Sequence, residues 1–460
     1  MMTRKAESWR AAARLVLCPA IVLTALSALG SLAAEAENAP FYLRDGDRVV
    51  FYGDSITEQS FWGAGAYADF TETYVLTRFP KLKVDFTNSG WGGDAVSWSG
   101  GGPVDVRVQR DIIAHNPTVV TIMLGMNDGK YRSFDQPTFD TYRDGYRRIV
   151  DTILKDLPGV RTTLIEPSPY DDFTRTTSFE GGYNAVLIRY AQFVKGLAAE
   201  KGLNVADFNS PVVAMLESAR DIDPALSQKI INDRIHPGPG AHLLMAEALL
   251  RSWNAPSVVT DVEIDAGKGV VHAVGTEISG LTPEPTTYAP EDTLGSYRIP
   301  PKPRVLGWTQ TDDALPMPVD LADPATALAV HTSDFFDALD REPLQVTGLR
   351  APAYVLKIDG ETIGELTRDQ LAAGINLATF PTPMSKQATE VHKLTERRNH
   401  IHFIRWHWIQ VGLFQDGTTN AIAAAGPPLL KALDDEEADV TAQQRAAALP
   451  VPHHFELDPK

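Results

Sequence analysis

Cysteine is all but missing: the chain of 460 residues has one, Cys18. It lies in an apolar N-terminal stretch, so a protein without that stretch has no thiol. Disulfides, cysteine nucleophiles and thiolate metal sites drop out together. Basic residues are also short, 42 Lys and Arg against 59 Asp and Glu, a net charge of −17. That balance repels nucleic acid and anionic membrane surfaces and suits neutral or cationic substrates. No second run of residues resembles a transmembrane helix, and no internal repeat is visible. With 43% hydrophobic and 22% charged residues the composition is that of a globular protein, long enough for two or three domains.

The N-terminus has the layout of an export signal. Arg4, Lys5, Arg10 and Arg14 precede an apolar stretch from Leu15 to Ala34, and small residues suited to cleavage follow at 31–33 or 34–36. Residues 1–36 are therefore expected to be removed, leaving a periplasmic or extracellular protein. The rival reading is an uncleaved membrane anchor. Leu15-Val16-Leu17 lacks the small residues expected beside a lipidated cysteine at Cys18.

From 48 to 253 strand-like and helical patterns alternate. Apolar runs at 49–52, 84–87, 118–124, 162–165 and 203–206 read as strands. Stretches near 66–79, 104–115, 136–156, 183–201 and 239–253 read as helices. This alternation predicts an α/β domain over 40–256, a parallel sheet with helices on both faces. Residues 257–383 read as a β-rich accessory domain. It has a hairpin turning at Asp359-Gly360 and a proline-rich loop or linker over 281–303. Residues 384–425 read as a long helix. Val391, Leu394, Ile401, Ile404, Trp408 and Val411 recur at three- and four-residue steps. The stretch 426–460 reads as a loosely held tail.

Four short stretches carry chemistry: Gly53-Asp54-Ser55, Asn88 to Asp94, Gly125-Met126-Asn127-Asp128, and Asp233-Arg234-Ile235-His236. Each alone reads equally well as a turn or helix cap. Three of them follow successive strands, however, and ligands of open parallel sheets bind beyond the carboxyl ends of the strands. A serine hydroxyl becomes a nucleophile when a base takes its proton. His236 is suited to that task, and Asp233 three residues earlier is suited to hold the ring's tautomer. Acyl transfer develops a negative oxygen that needs donors. The candidates are the amides of Ser55 and Gly93 and the side chain of Asn127, each such donor being worth about 3–4 kcal/mol. Trp91, Trp98, Tyr170 and Asp171 are candidate substrate contacts. Asp54 and Asp128 read as braces for their turns, and His242 as a supporting residue. His400 and His402 lie about 200° apart on a helix and cannot share a metal. No metal or organic cofactor is expected.

Together these stretches resemble the SGNH (GDSL) esterase and lipase superfamily, named for its Ser, Gly, Asn and His. Ser55, Gly93, Asn127 and His236 match those residues, with Asn88, Gly125, Asp128 and Asp233 in their blocks. The resemblance spans residues 46–253. It implies a flavodoxin-like three-layer α/β/α domain and hydrolysis of carboxylic esters through an acyl-enzyme. The serine lacks the Gly-x-Ser-x-Gly surround of α/β-hydrolases. Residues 257–425 also look like C-terminal parts of some exported bacterial members.

The expected reaction is removal of small acyl groups, acetyl above all, from carbohydrate. The grounds are the export signal, the acidic surface and the loop tryptophans. Longer-chain lipase, lysophospholipase or thioesterase activity is the alternative within enzymes. A non-catalytic surface or glycan-binding module on the same fold is the alternative outside them. The expected partner is a small ester or acetylated glycan, with no nucleic acid and, once the signal is cleaved, no membrane.

Overall fold

The structure, a computed structural model, describes residues 40–62, 65–282, 293–294, 297–298, 304–413 and 420–460. The candidate export signal and most of the 281–303 stretch lie outside the described residues.

Five parallel strands build the first sheet: β1 (Arg48–Gly53), β2 (Asp85–Gly90), β3 (Val119–Met123), β4 (Arg161–Glu166) and β5 (Asn204–Asp207). They lie side by side in the order β2-β1-β3-β4-β5. This is the doubly wound flavodoxin-like order, whose reversal beside β1 opens a crevice at the strands' carboxyl ends. The strands are apolar because helices cover them: all of β3 and all but the first residue of β1 are buried.

Three helices of this domain start on aspartate side-chain caps, Asp54, Asp135 and Asp223. Asp54 caps α1 (Ser55–Glu58) by accepting the Ile56 amide at 3.0 Å. Next come α2 (Tyr67–Arg78), α3 (Val104–Asp111), α4 (Gln136–Asp156) and α5 (Asn184–Lys201), which ends on Gly202 in the left-handed region. The α/β region continues with α6 (Ser210–Ile222), which the sequence pattern did not suggest, a single turn at Pro224–Ser227, and α7 (Pro239–Ser252).

Beyond 256 the described residues of the expected β-rich region form two larger sheets and a two-stranded pairing of Thr293–Leu294 with Tyr297–Arg298. One joins β6 (Asp261–Asp265) and β7 (Gly269–Val274) to a later strand pair. The other begins with β8 (Thr276–Ser279) and β9 (Leu306–Asp312). Two helices, α8 (Pro324–His331) and α9 (Phe335–Leu339), interrupt the region. Their Ala329, Val330, Phe335 and Leu339 join the core of the first domain. The remaining strands are β10 (Pro343–Thr347), β11 (Ala353–Ile358), β12 (Glu361–Thr367) and β13 (Ile375–Asn376). The hairpin between β11 and β12 turns at Asp359-Gly360, both at positive φ.

The C-terminal third differs from expectation twice. The long helix is α10 (Pro383–Phe403), but Ile404–Val411 widens into a π-helix. A π turn holds more residues than an α turn, so the three-four periodicity loses phase there. Trp406 is turned inward instead of Trp408, which is 48% exposed. The expected loose tail is ordered: α11 (Asn420–Ala447) packs along α10, and β14 (His453–Pro459) fills the centre of the second β sheet. That sheet runs β8-β9-β14-β11-β12. Polar and apolar residues alternate along β14, with Phe455 and Leu457 in the second core.

Candidate active site

Ser55 opens α1 just after β1, the second strand of the sheet, with Asp54 as the cap between them. The chain can turn so sharply because it is tightly fitted. A Cβ on Gly53 would stand 2.1 Å from Thr57 Oγ1, and one on Gly90 would stand 2.3 Å from the Glu58 amide nitrogen. Asn88 ties the end of β2 to the serine's helix α1. Its Nδ2 donates to the Thr57 carbonyl at 2.7 Å, and its Oδ1 accepts the Gly90 amide at 2.9 Å.

His236 stands 181 residues from Ser55 in the chain, yet its Nε2 lies 2.9 Å from the serine Oγ. Its Nδ1 lies 2.6 Å from Asp233 Oδ2. Asp233 Oδ1 also accepts the amides of Ile235 and His236, at 2.9 and 2.8 Å. Arg234 adopts a left-handed conformation, φ 74°, which folds the carboxylate back under the ring. Partial burial works against ionisation of Asp233. The amide and ring of His236, with the amide of Ile235, nevertheless hold it below the ordinary carboxylate range. An ionised carboxylate only accepts, so Nδ1 carries the ring hydrogen and Nε2 faces the serine as acceptor. Such a hydroxyl can pass its proton to the ring when an electrophile arrives.

Gly93 sits beyond β2 with φ 75°, a conformation that favours glycine. Asn127 follows β3. Its Nδ2 donates to the Asp94 carbonyl at 3.0 Å, and its Oδ1 accepts from the Tyr131 hydroxyl at 2.8 Å. Asp128 Oδ1 accepts the Val96 amide at 2.9 Å, bracing the same loop. Behind it, Arg107 grips Asp94 Oδ2 through Nε and Nη2, at 2.9 and 2.6 Å. Burial pushes Asp54 up to about 8 and both Glu58 and Asp128 up to about 7. His242 is wholly buried, accepts the Tyr67 amide at 3.1 Å and is pushed down to about 3 by burial.

The candidate substrate contacts fare differently. Trp91 is 8% exposed, stacked on His407 at 3.8 Å and flanked by Arg107, so its ring is filled with protein on both sides. Asp171 is fully buried. Its carboxylate accepts the amides of Phe173 and Thr174, and its own amide donates to the Arg234 carbonyl. It shapes the loop under Asp233 and does not face the cleft. Tyr170 packs edge-on against Tyr183 and is nearly buried. The side chain of Trp98 lies outside the described residues. The aromatic ring beside Asn127 is instead Tyr131, 39% exposed and reached through left-handed Lys130 and Tyr131. Those two conformations are invisible in sequence, and no glycine marks them. Beside Gly93 and Asn127 opens a cleft of about 430 Å³, lined also by Ser97, Lys130, Thr138 and Thr141.

With this geometry in hand, relatives are informative. The profile of the GDSL-like Lipase/Acylhydrolase family matches residues 51–244. An acetylxylan esterase of Geobacillus stearothermophilus is 27% identical over 226 residues, which cover 45% of this chain and 93% of that one. A GDSL esterase/lipase of Arabidopsis thaliana is 26% identical over 231 residues, 45% of this chain and 87% of the other. A gut microbial diltiazem-metabolizing enzyme of known structure is 26% identical. It covers 92% of this chain and 100% of its own, with a TM-score of 0.74. Residues 51–244 therefore form an ester-bond hydrolase domain of the GDSL-like lipase/acylhydrolase family.

Proposed function

We propose that the protein is an exported serine esterase that removes acetyl groups from carbohydrate. One observation carries the catalytic part: Ser55 Oγ, His236 and Asp233 are joined by contacts of 2.9 and 2.6 Å at the carboxyl edge of the sheet. Ser55 Oγ bonds to the ester carbonyl carbon while its proton passes to His236 Nε2. The amides of Ser55 and Gly93 and the Nδ2 of Asn127 stabilise the resulting oxyanion. The bond to the leaving alcohol breaks, and that oxygen takes the proton from His236. Water then attacks the acyl-enzyme with His236 again as base, returning the acid and free Ser55.

The acetyl-carbohydrate reading rests on two supports. One is the relationship to an acetylxylan esterase. The other is the polar lining of the cleft by Ser97, Lys130, Thr138 and Thr141. Hydroxyls and an ammonium suit a sugar, whose own hydroxyls need partners, better than a long acyl chain, which needs apolar surface. Export rests on the N-terminal sequence alone. No helix among the described residues is long and apolar enough to cross a membrane.

Ser55→Ala is expected to lower hydrolysis of p-nitrophenyl acetate by a factor of about 10³ or more, following the loss of a nucleophile in related chemistry. A chain-length series then separates the substrates. Preference for acetate, with acetate released from acetylated xylan, supports the reading. Activity rising towards octanoate overturns its carbohydrate part, and unchanged hydrolysis by Ser55→Ala overturns the whole.

A further inference from the structure

The π-helical end of α10 lies outside the family match at 51–244, yet its His407 packs on Trp91 in the loop after β2 that holds Gly93. Trp406 is 2% exposed, and its indole Nε1 donates to Asp111 Oδ1 at 2.7 Å. Asp111 Oδ2 accepts Arg107 Nη1 at 2.6 Å. Arg107 binds the Asp94 carboxylate, and the Asp94 carbonyl accepts Asn127 Nδ2 at 3.0 Å. Trp406, Asp111, Arg107 and Asp94 are all buried, so each bond is shielded from water. Arg107 also donates to the Ser89 carbonyl in β2. The same turn of π-helix places His407 flat on Trp91.

A second route starts about two turns earlier. Asn399 Nδ2 donates to Asp69 Oδ1 at 2.6 Å, and Ser60 Oγ donates to that same oxygen at 2.7 Å. Ser60 Oγ in turn accepts from Asn88 Nδ2 at 2.9 Å, the amide that also holds the Thr57 carbonyl in the serine's own helix. The two routes end on the two sides of the gap where an ester carbonyl would sit. One reaches Asp94, beside Gly93, whose carbonyl holds Asn127, and the other reaches the Ser55 helix.

We infer that residues 383–411 form a positioning arm for the esterase site, holding its oxyanion donors in register through Trp406–Asp111–Arg107–Asp94 and Asn399–Asp69–Ser60–Asn88. This rests on the serine-esterase reading above. The bonds are long-range, up to 330 residues apart, so the α/β domain does not complete this network by itself. A donor displaced by a fraction of an ångström leaves substrate binding largely intact and weakens stabilisation of the transition state.

The test uses the full chain. Trp406→Phe deletes the N–H and keeps a ring against Trp91, while Asp111 retains Arg107 and Arg110. Asn399→Ala cuts the other route. Each variant is expected to lower kcat on p-nitrophenyl acetate about five- to tenfold with KM within about twofold, the signature of an interaction realised in the transition state. Unchanged kcat in both folded variants, with only a lower melting temperature, overturns the arm's positioning role. A raised KM at constant kcat overturns it as well. If one variant fails to fold, the other decides by the same criteria. Activity that survives Ser55→Ala sinks the underlying reading instead, so the two failures are told apart.

Discussion

Asn127 has two amide hydrogens, and the Asp94 carbonyl takes one. For the other to meet an oxyanion the amide plane must not rotate, and Tyr131 supplies the second anchor through the Asn127 Oδ1. Tyr131 is held there by its own left-handed backbone, φ 54°, and that of Lys130, φ 57°. Such conformations cost of order 1–3 kcal/mol each and persist where the surroundings impose them. Tyr131→Phe keeps the ring and loses the anchor. Loss of about 1 kcal/mol of orientation corresponds to about fivefold in kcat, with KM little changed. Steady-state kinetics on p-nitrophenyl acetate measure it, and an unchanged kcat would show that Asn127 needs no such anchor. Sequence reading reached Asn127 because a Gly-x-Asn-Asp block follows a strand. It missed Tyr131 because positive φ at a lysine and a tyrosine leaves no compositional mark. It misplaced Trp91 and Asp171 because a polar or aromatic residue in a loop reads the same whether it faces a cleft or closes one.

At the scale of elements, the strands and most helices of the first domain were legible to within a few residues, α6 (Ser210–Ile222) being the exception. Each strand is a short apolar run, and helix ends carry caps such as Asp54 and Gly202. The arm was legible only as far as its α-helical phase lasted, up to Phe403. Its packing on α2 is polar in places, which no hydrophobic period reveals: Arg398 pairs with Glu72, and His392 Nδ1 lies 3.0 Å from Thr73 Oγ1. His392 also stacks on Phe70, with Glu396 at 3.8 Å. Burial pushes His392 down to about 3, so it is neutral in the folded arm and takes up a proton near 6.5 when unfolded. The unfolded state then binds more protons between pH 6.5 and 3, and this residue's contribution to stability falls as pH drops through that window. His392→Phe keeps the stack and removes the titration. Its melting temperature, relative to the parent protein, is expected to improve between pH 7.5 and pH 5. Parallel pH dependence of the two proteins would contradict neutral burial of this ring.

The whole molecule ties these levels together through its last seven-residue strand. β14 pairs with β9 on one side and β11 on the other, so both neighbours depend on it for their ladders. Its Phe455 stacks on Trp308 at 5.2 Å, and Phe455 and Leu457 are wholly buried. The second core they complete also contains Met384 and Ala388, in the first turns of the arm. Gln387 of the arm donates to the carbonyls of Ala447 and Leu449, at the junction of α11 with the final segment. The arm is thus rooted in the second core at one end and set against the active site at the other. A chain ending at Leu449 loses two buried side chains worth about 1.5–3 kcal/mol each, and it opens two strand edges in the middle of a sheet. If the arm were a passive cover, hydrolysis of p-nitrophenyl acetate would survive, because Ser55, Gly93, Asn127, Asp233 and His236 all lie far upstream. With the arm as a positioning element rooted in that core, the shortened chain is expected to show lower kcat per folded molecule as well as a lower melting temperature. Titrating active serines with a covalent phosphonate separates the two effects. A shortened chain with full serine reactivity and unchanged kcat would sever the link between the last strand and the site.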